Sequence, residues 1–118
     1  YQMILKKIKI NNKLFKLYFQ SGVFIPTATS YFLINDFIKF NKNIKNQKIL
    51  DLGCGSGIIS IALADKLKKN RFYASDLSKN STTCCKKNFA KFKISGQIKT
   101  GSMFKPWSDC KFDYIGIS

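Results

Sequence analysis

The sequence predicts an α/β fold, a parallel sheet flanked by helices with a hairpin and a helix ahead of it. Three observations carry this expectation. From Lys48 onward apolar segments follow the rhythm strand, helix, strand, helix, strand. The first of those strands runs into three glycines at alternate positions just before a helix begins. The opening twenty residues instead alternate apolar and polar with period two, which places one face in a core and one in water.

The elements follow in chain order. Ile4 to Ile10 and Phe15, Leu17 and Phe19 read as two strands of a hairpin, with Asn11-Asn12 as turn residues that tolerate positive φ. Ser21 to Pro26 reads as an extended stretch closed by a proline that cannot continue a ladder. Thr27 or Thr29 caps the helix that follows, whose inner stripe is Tyr31, Ile34, Phe37 and Ile38. The segment from Asn41 to Gln47, rich in Lys and Asn, is a linker. Lys48 to Leu52 is then a buried strand, Ile58 to Leu67 a helix, and Arg71 to Ser75 a second strand. Lys79 to Phe92 is a helix presenting Cys85, Phe89 and Phe92 at i, i+4 and i+7. Gln97 to Thr100 and Phe112 to Ile117 complete the strands, and alternation of this type implies right-handed crossovers between parallel neighbours. Residues 1–47 form an N-terminal hairpin and helix and residues 48–118 the sheet core, read together as one domain. In a doubly wound sheet the last strand would be central, so either the chain is a fragment or something else covers that edge.

Composition narrows the class. Hydrophobic content of 45% with 14% aromatics points to a packed globular domain. No apolar run approaches the roughly 20 residues that cross a bilayer, so no membrane partner is expected. Cys54, Cys84, Cys85 and Cys110 form no C-x-x-C pair and the chain has no histidine, so no metal site is expected. Buried free thiols fit a reducing compartment and predict a cytoplasmic location. The formal net charge is +15, from 21 bases against six acids. All the bases but Arg71 are lysine, and a global bias of that kind spreads charge without building a docking site. The compositional reading is therefore preferred to a polyanion partner such as RNA.

The segment that carries chemistry is Asp51-Leu52-Gly53-Cys54-Gly55-Ser56-Gly57-Ile58. Its glycines let the backbone turn sharply and let a ligand approach the main chain, and helix N–H groups follow immediately. Dinucleotide sites use G-x-G-x-x-G, and here the third glycine falls one position early. Asp51 also sits poorly beside a pyrophosphate and suits a ligand bearing an ammonium or sulfonium charge. Asp76 closes the second strand 25 residues later, where a carboxylate accepts both hydroxyl protons of a ribose. Leu77 follows it and is positioned to pack on an adenine face.

Asp51 to Gly57 resembles motif I of the class I S-adenosylmethionine (SAM)-dependent methyltransferases, whose fold is Rossmann-like. Ala74 to Ser78 is similar to the acidic turn after their second strand. Gly101-Ser102-Met103-Phe104, with Phe112 to Ile115, resembles their adenine-contacting turn and fourth strand. The resemblance implies SAM as cofactor, with Asp51, Gly53 and Gly55 about the methionine part, Asp76 on the ribose, Leu77, Ser102 and Met103 about the adenine, and Cys54 and Gly57 also among the cofactor-binding residues. Many relatives carry an aspartate where Ser102 stands. Gly22 to Thr29 resembles the segment ahead of motif I in HemK-type and other small-domain methyltransferases, although the Arg, second Pro and Glu of Ile-Pro-Arg-Pro-x-Thr-Glu are absent. In that group the fourth strand leads into Asn-Pro-Pro-Tyr, which holds the nitrogen to be methylated, and no such turn occurs up to Ser118. The implied function is methyl transfer to a nitrogen of a protein or RNA acceptor. The alternatives are a non-catalytic SAM- and RNA-binding module and, against the glycine spacing, a nicotinamide enzyme. Neither the catalytic residues nor the oligomeric state is read from the sequence.

Overall fold

The computed structural model describes residues 3–10, 12–20 and 28–117, with side chains from residue 34 onward in the last segment. The hairpin is present, pairing β1 (Met3–Ile10) with β2 (Lys13–Gln20) antiparallel in the register Ile8 with Phe15 and Lys6 with Leu17. Asn12 takes the positive φ of 62° that the turn demands. Along β2, Phe15, Leu17 and Phe19 are buried while Leu14 and Lys16 face solvent, as the alternation requires. The stretch Ser21 to Pro26 and the capping position Thr27 lie outside the described residues. Helix α1 begins at Ala28 and ends at Phe40, so Thr29 belongs to its first turn.

The main sheet holds β3 (Lys48–Leu52), β4 (Arg71–Asp76), β5 (Gly96–Thr100) and β6 (Tyr114–Ile117) in the order β5-β4-β3-β6, all parallel. Helix α2 (Ile58–Lys66) connects β3 to β4, and α3 (Lys79–Lys91) connects β4 to β5. Helices α2 and α3 end one residue earlier than expected and β5 begins one earlier, at Gly96; two further boundaries shift. β4 runs one residue further, to Asp76, because Asp76 pairs with Thr100 of β5. The last strand starts at Tyr114 rather than Phe112, and Asp113 is the pin that sets it. Its N–H donates to the Lys48 carbonyl at 2.9 Å, and its Oδ2 accepts from the Lys48 N–H at 2.8 Å. β6 lies beyond β3 as the outermost described strand on that side.

The core sits on one face of the sheet. Ile49 of β3 and Phe72 and Ala74 of β4 pack against Ile58, Ile61 and Ala62 of α2, Phe89 of α3 and the inner face of the hairpin. Each of the Ile and Phe side chains among them contributes about 1.5–3 kcal/mol when fully buried. The opposite face is covered differently from anything the sequence predicted. A single 3₁₀ turn, Lys105–Trp107, lays Trp107 over Leu50 and Leu52. Trp107, Tyr73 and Phe112 meet edge to face with centroids 5.2–5.8 Å apart, the geometry that ring quadrupoles prefer.

Candidate functional site

The carboxyl ends of β3 and β4 stand side by side, which brings the glycine turn against the acidic turn. Gly53 and Gly55 hold φ of 77° and 54°, a region in which L side chains are strained. The Gly53 and Cys54 N–H groups both donate to the Ser75 carbonyl at 2.8 and 3.0 Å, which fastens the turn to β4. At Gly57 (φ 87°) a Cβ would meet Cys85 Sγ at 2.8 Å and the Phe89 ring at 3.3 Å. Glycine therefore allows α2 to start tight against α3.

Asp76 is half-buried at the end of β4. Its Oδ2 accepts the Gly55 N–H at 3.0 Å and its Oδ1 accepts the Ser78 N–H at 2.9 Å. Each carboxylate oxygen has room for a further donor, and the two N–H groups hold the carboxylate in one orientation. Ser78 itself caps α3, its Oγ accepting from the Ser81 N–H. A recess of about 220 Å³ opens here, lined by Gly53, Asp76, Leu77, Ser102, Met103 and Ile117 among others. Leu77 and Met103 present exposed apolar surface to it, and the turn that carries Met103 is tight enough to give it a φ of 46°. Gly101 N–H reaches the Asp76 carbonyl at 2.9 Å, which ties this turn to the acidic strand end.

Asp51 lies elsewhere. It is buried on the helix-bearing side of β3, where Ser60 Oγ donates to its Oδ2 at 3.4 Å. It lines a second recess, of about 270 Å³, between α1, α2 and β6. Ile117 lines both recesses, so they adjoin across the end of β6. Of the residues read from the sequence, Gly53, Asp76, Leu77, Ser102 and Met103 thus share one cavity and Asp51 opens on its neighbour. Cys54 and Gly57 line neither; both are buried, packed toward α3. Gly55 serves through its N–H to Asp76.

The thiols behind the turn are inert. The hydrogen bond that the Cys85 thiol donates to Cys54, reinforced by burial, raises the Cys85 pKa far above the ordinary thiol range, and burial lifts Cys84 to about 11. A suppressed thiolate is a poor nucleophile.

Two residues that sequence reasoning missed hold the site from behind. Asn88 of α3 is fully buried; its Nδ2 donates to the Ser56 carbonyl at 2.8 Å and the Tyr18 carbonyl at 2.9 Å, and its Oδ1 accepts the Tyr18 N–H at 2.7 Å. One amide therefore joins hairpin, α3 and glycine turn. Its signal was available, an amide one turn after Cys84 in line with that buried thiol on the helix. Trp107 Nε1 donates to Ser75 Oγ at 3.0 Å, bracing the residue before Asp76, and no sequence pattern announced it.

An open parallel sheet with a glycine turn ending one strand and a carboxylate ending the next is a Rossmann-like domain, an architecture that binds ligands outside the carboxyl ends of its strands. The chain belongs to the methyltransferase small domain family, which it matches over residues 16–117. It is 32% identical over 96 residues to a release factor glutamine methyltransferase of Fusobacterium nucleatum, covering 80% of this chain and 27% of that protein. It is 42% identical over 59 residues to a ribosomal RNA small subunit methyltransferase C of Buchnera aphidicola, covering 50% of this chain and 17% of that one. The fold superposes on a Thermus thermophilus 16S rRNA N2 G1207 methyltransferase with a TM-score of 0.85, at 16% identity, over 98% of this chain and 32% of that chain. The chain thus spans about a third or less of the length of these proteins. Among the described residues no helix is long and apolar enough to cross a membrane.

Proposed function

We propose that this chain is the SAM-binding part of a methyltransferase that acts on a nitrogen of a protein or RNA. The observation that carries the reading is Asp76. Two backbone N–H groups orient its carboxylate at the mouth of a recess whose other wall is apolar. A ribose diol fits that arrangement, and Leu77 and Met103 offer faces to the adenine, with the Ser102 hydroxyl beside them. Asp51, in the adjoining recess, suits the ammonium of the methionine part, while Cys54 and Gly57 shape the turn from inside.

When bound, SAM supplies an already activated methyl group whose leaving group departs as a neutral sulfide. The chain then has to bind, orient and exclude water, and proximity and alignment alone are worth roughly 7–11 kcal/mol. The chain has no histidine, and an amide or amine nitrogen held by hydrogen bonds fits a reaction that rests on alignment. The similarity to release factor and ribosomal RNA methyltransferases supports a protein or RNA acceptor. The buried free thiols fit a cytoplasmic setting.

Calorimetric titration with S-adenosylhomocysteine and with NAD tests the reading. Binding of the former alone, weakened at least tenfold by Asp76→Ala, is the expected result. A folded protein that prefers NAD, or binds neither, contradicts it.

A further inference from the structure

The sheet core hides a segregation of charge that composition alone conceals. All six acids of the chain are aspartates, at positions 36, 51, 65, 76, 109 and 113, and none lies in β1, β2 or α3. Those three elements are also contiguous. β2 runs along α3, with Tyr18 bonded to Asn88 and the Lys16 carbonyl accepting from Lys91 Nζ.

The hairpin register places Lys7 directly opposite Lys16 and Leu5 opposite Tyr18. Because side chains alternate, Leu5, Lys7 and Lys9 of β1 share the outer face with Leu14, Lys16 and Tyr18 of β2. All are exposed except Tyr18, which is half-buried. Like charges directly opposite on a ribbon are destabilising, so the Lys7–Lys16 pair costs stability when nothing binds it. From α3, Lys87 Nζ sits 4.5 Å from the Tyr18 ring centroid, extending the same surface. The nearest carboxylate bonded to the hairpin is Asp65, which pairs with Lys13 on the other face at the turn end.

We propose that this ribbon is an RNA-binding surface, in which Lys7, Lys9, Lys16 and Lys87 contact phosphates and Tyr18 and Leu5 meet bases. Lys7 and Lys9, same-face neighbours on β1, stand ~6.8 Å apart, with Lys16 opposite Lys7, a spacing suited to a repeating backbone charge. Lysine as a point charge contacts phosphates without base readout, and an aromatic side chain among the cations adds a sequence-tolerant stacking face. A folded acidic protein surface offers no such regular repeat. The upper end of the ribbon leads toward the cofactor turn, since Asn88 grips both Tyr18 and Ser56. The inference deepens the proposed function by choosing RNA as the acceptor class, and it rests on that reading only for what happens after binding.

The test compares two triple variants of equal charge. One is Lys7→Gln/Lys9→Gln/Lys16→Gln and the other Lys42→Gln/Lys45→Gln/Lys111→Gln, each titrated with a single-stranded RNA oligonucleotide over a range of salt. The ribbon variant is expected to lose at least tenfold in affinity at low salt, and its log Kd against log salt slope to fall by about two. The control set should change less than about twofold. Equal losses in both sets, no loss in either, or competition by polyglutamate as strong as by RNA overturns the proposal. S-adenosylhomocysteine binding is measured on the same variants. Retained binding shows that the fold and the cofactor seat survive, so failure of the RNA surface and failure of the cofactor reading are told apart.

Discussion

The two faces of the parallel sheet are built to different densities. Among the described residues one is buried under three helices and the hairpin, a cluster of sixteen buried residues, while on the other Trp107, with Phe112 beside it, covers Leu50, Leu52 and Tyr73. The candidate site sits on the rim between them. Its turn is fixed from the crowded side, by Gly57 against Cys85 and Asn88 on the Ser56 carbonyl. Its acidic strand end is braced from the sparse side by one indole N–H. The comparison teaches that the shape of the glycine turn depends on dense packing, whereas the posture of Asp76 depends on a few hydrogen bonds.

That contrast makes ordered predictions. Asn88→Leu strips partners from the Tyr18 N–H and from the buried Ser56 carbonyl, and should destabilise by about 3–5 kcal/mol in urea unfolding. A loss under about 1 kcal/mol would mean that the hairpin is not tied to the turn through this amide. Gly57→Ala combines a strained φ with a Cβ against a buried thiol, and should cost about 2–3 kcal/mol. The double variant Gly57→Ala/Cys85→Ala, which clears the thiol, should recover part of that in thermal denaturation; no recovery would place the whole cost in the backbone. Trp107→Phe keeps the aromatic stack and removes the bond to Ser75, so about 1–2 kcal/mol is expected. S-adenosylhomocysteine affinity should fall only a few-fold in that variant, because the two N–H groups on Asp76 remain.

How much of this was legible follows the same division. The hairpin, the β3–α2 turn and the acidic end of β4 are local patterns, a period of two and a glycine spacing, and they appeared where expected. Asp76 was placed by its distance from Asp51 along the chain, although the two carboxylates prove to line adjoining recesses rather than one. The sparse face was not legible. Nothing local separates Pro106-Trp107 from an ordinary loop, and Phe112 reads as a strand residue until Trp107 and Tyr73 draw it aside. Asn88 was passed over because the helical stripe was traced through its apolar members. The even scatter of lysine along the sequence likewise hid an uneven scatter of aspartate in space.

The most direct test of the central claim is a ligand cycle at Asp76. S-adenosylhomocysteine and its 2′,3′-dideoxy analogue are titrated into the unaltered protein and into Asp76→Ala. The account predicts that removing the two hydroxyls costs about a hundredfold in affinity in the unaltered protein, roughly two charge-assisted hydrogen bonds, and almost nothing in the variant. An equal loss in both proteins would contradict it and place the ribose elsewhere.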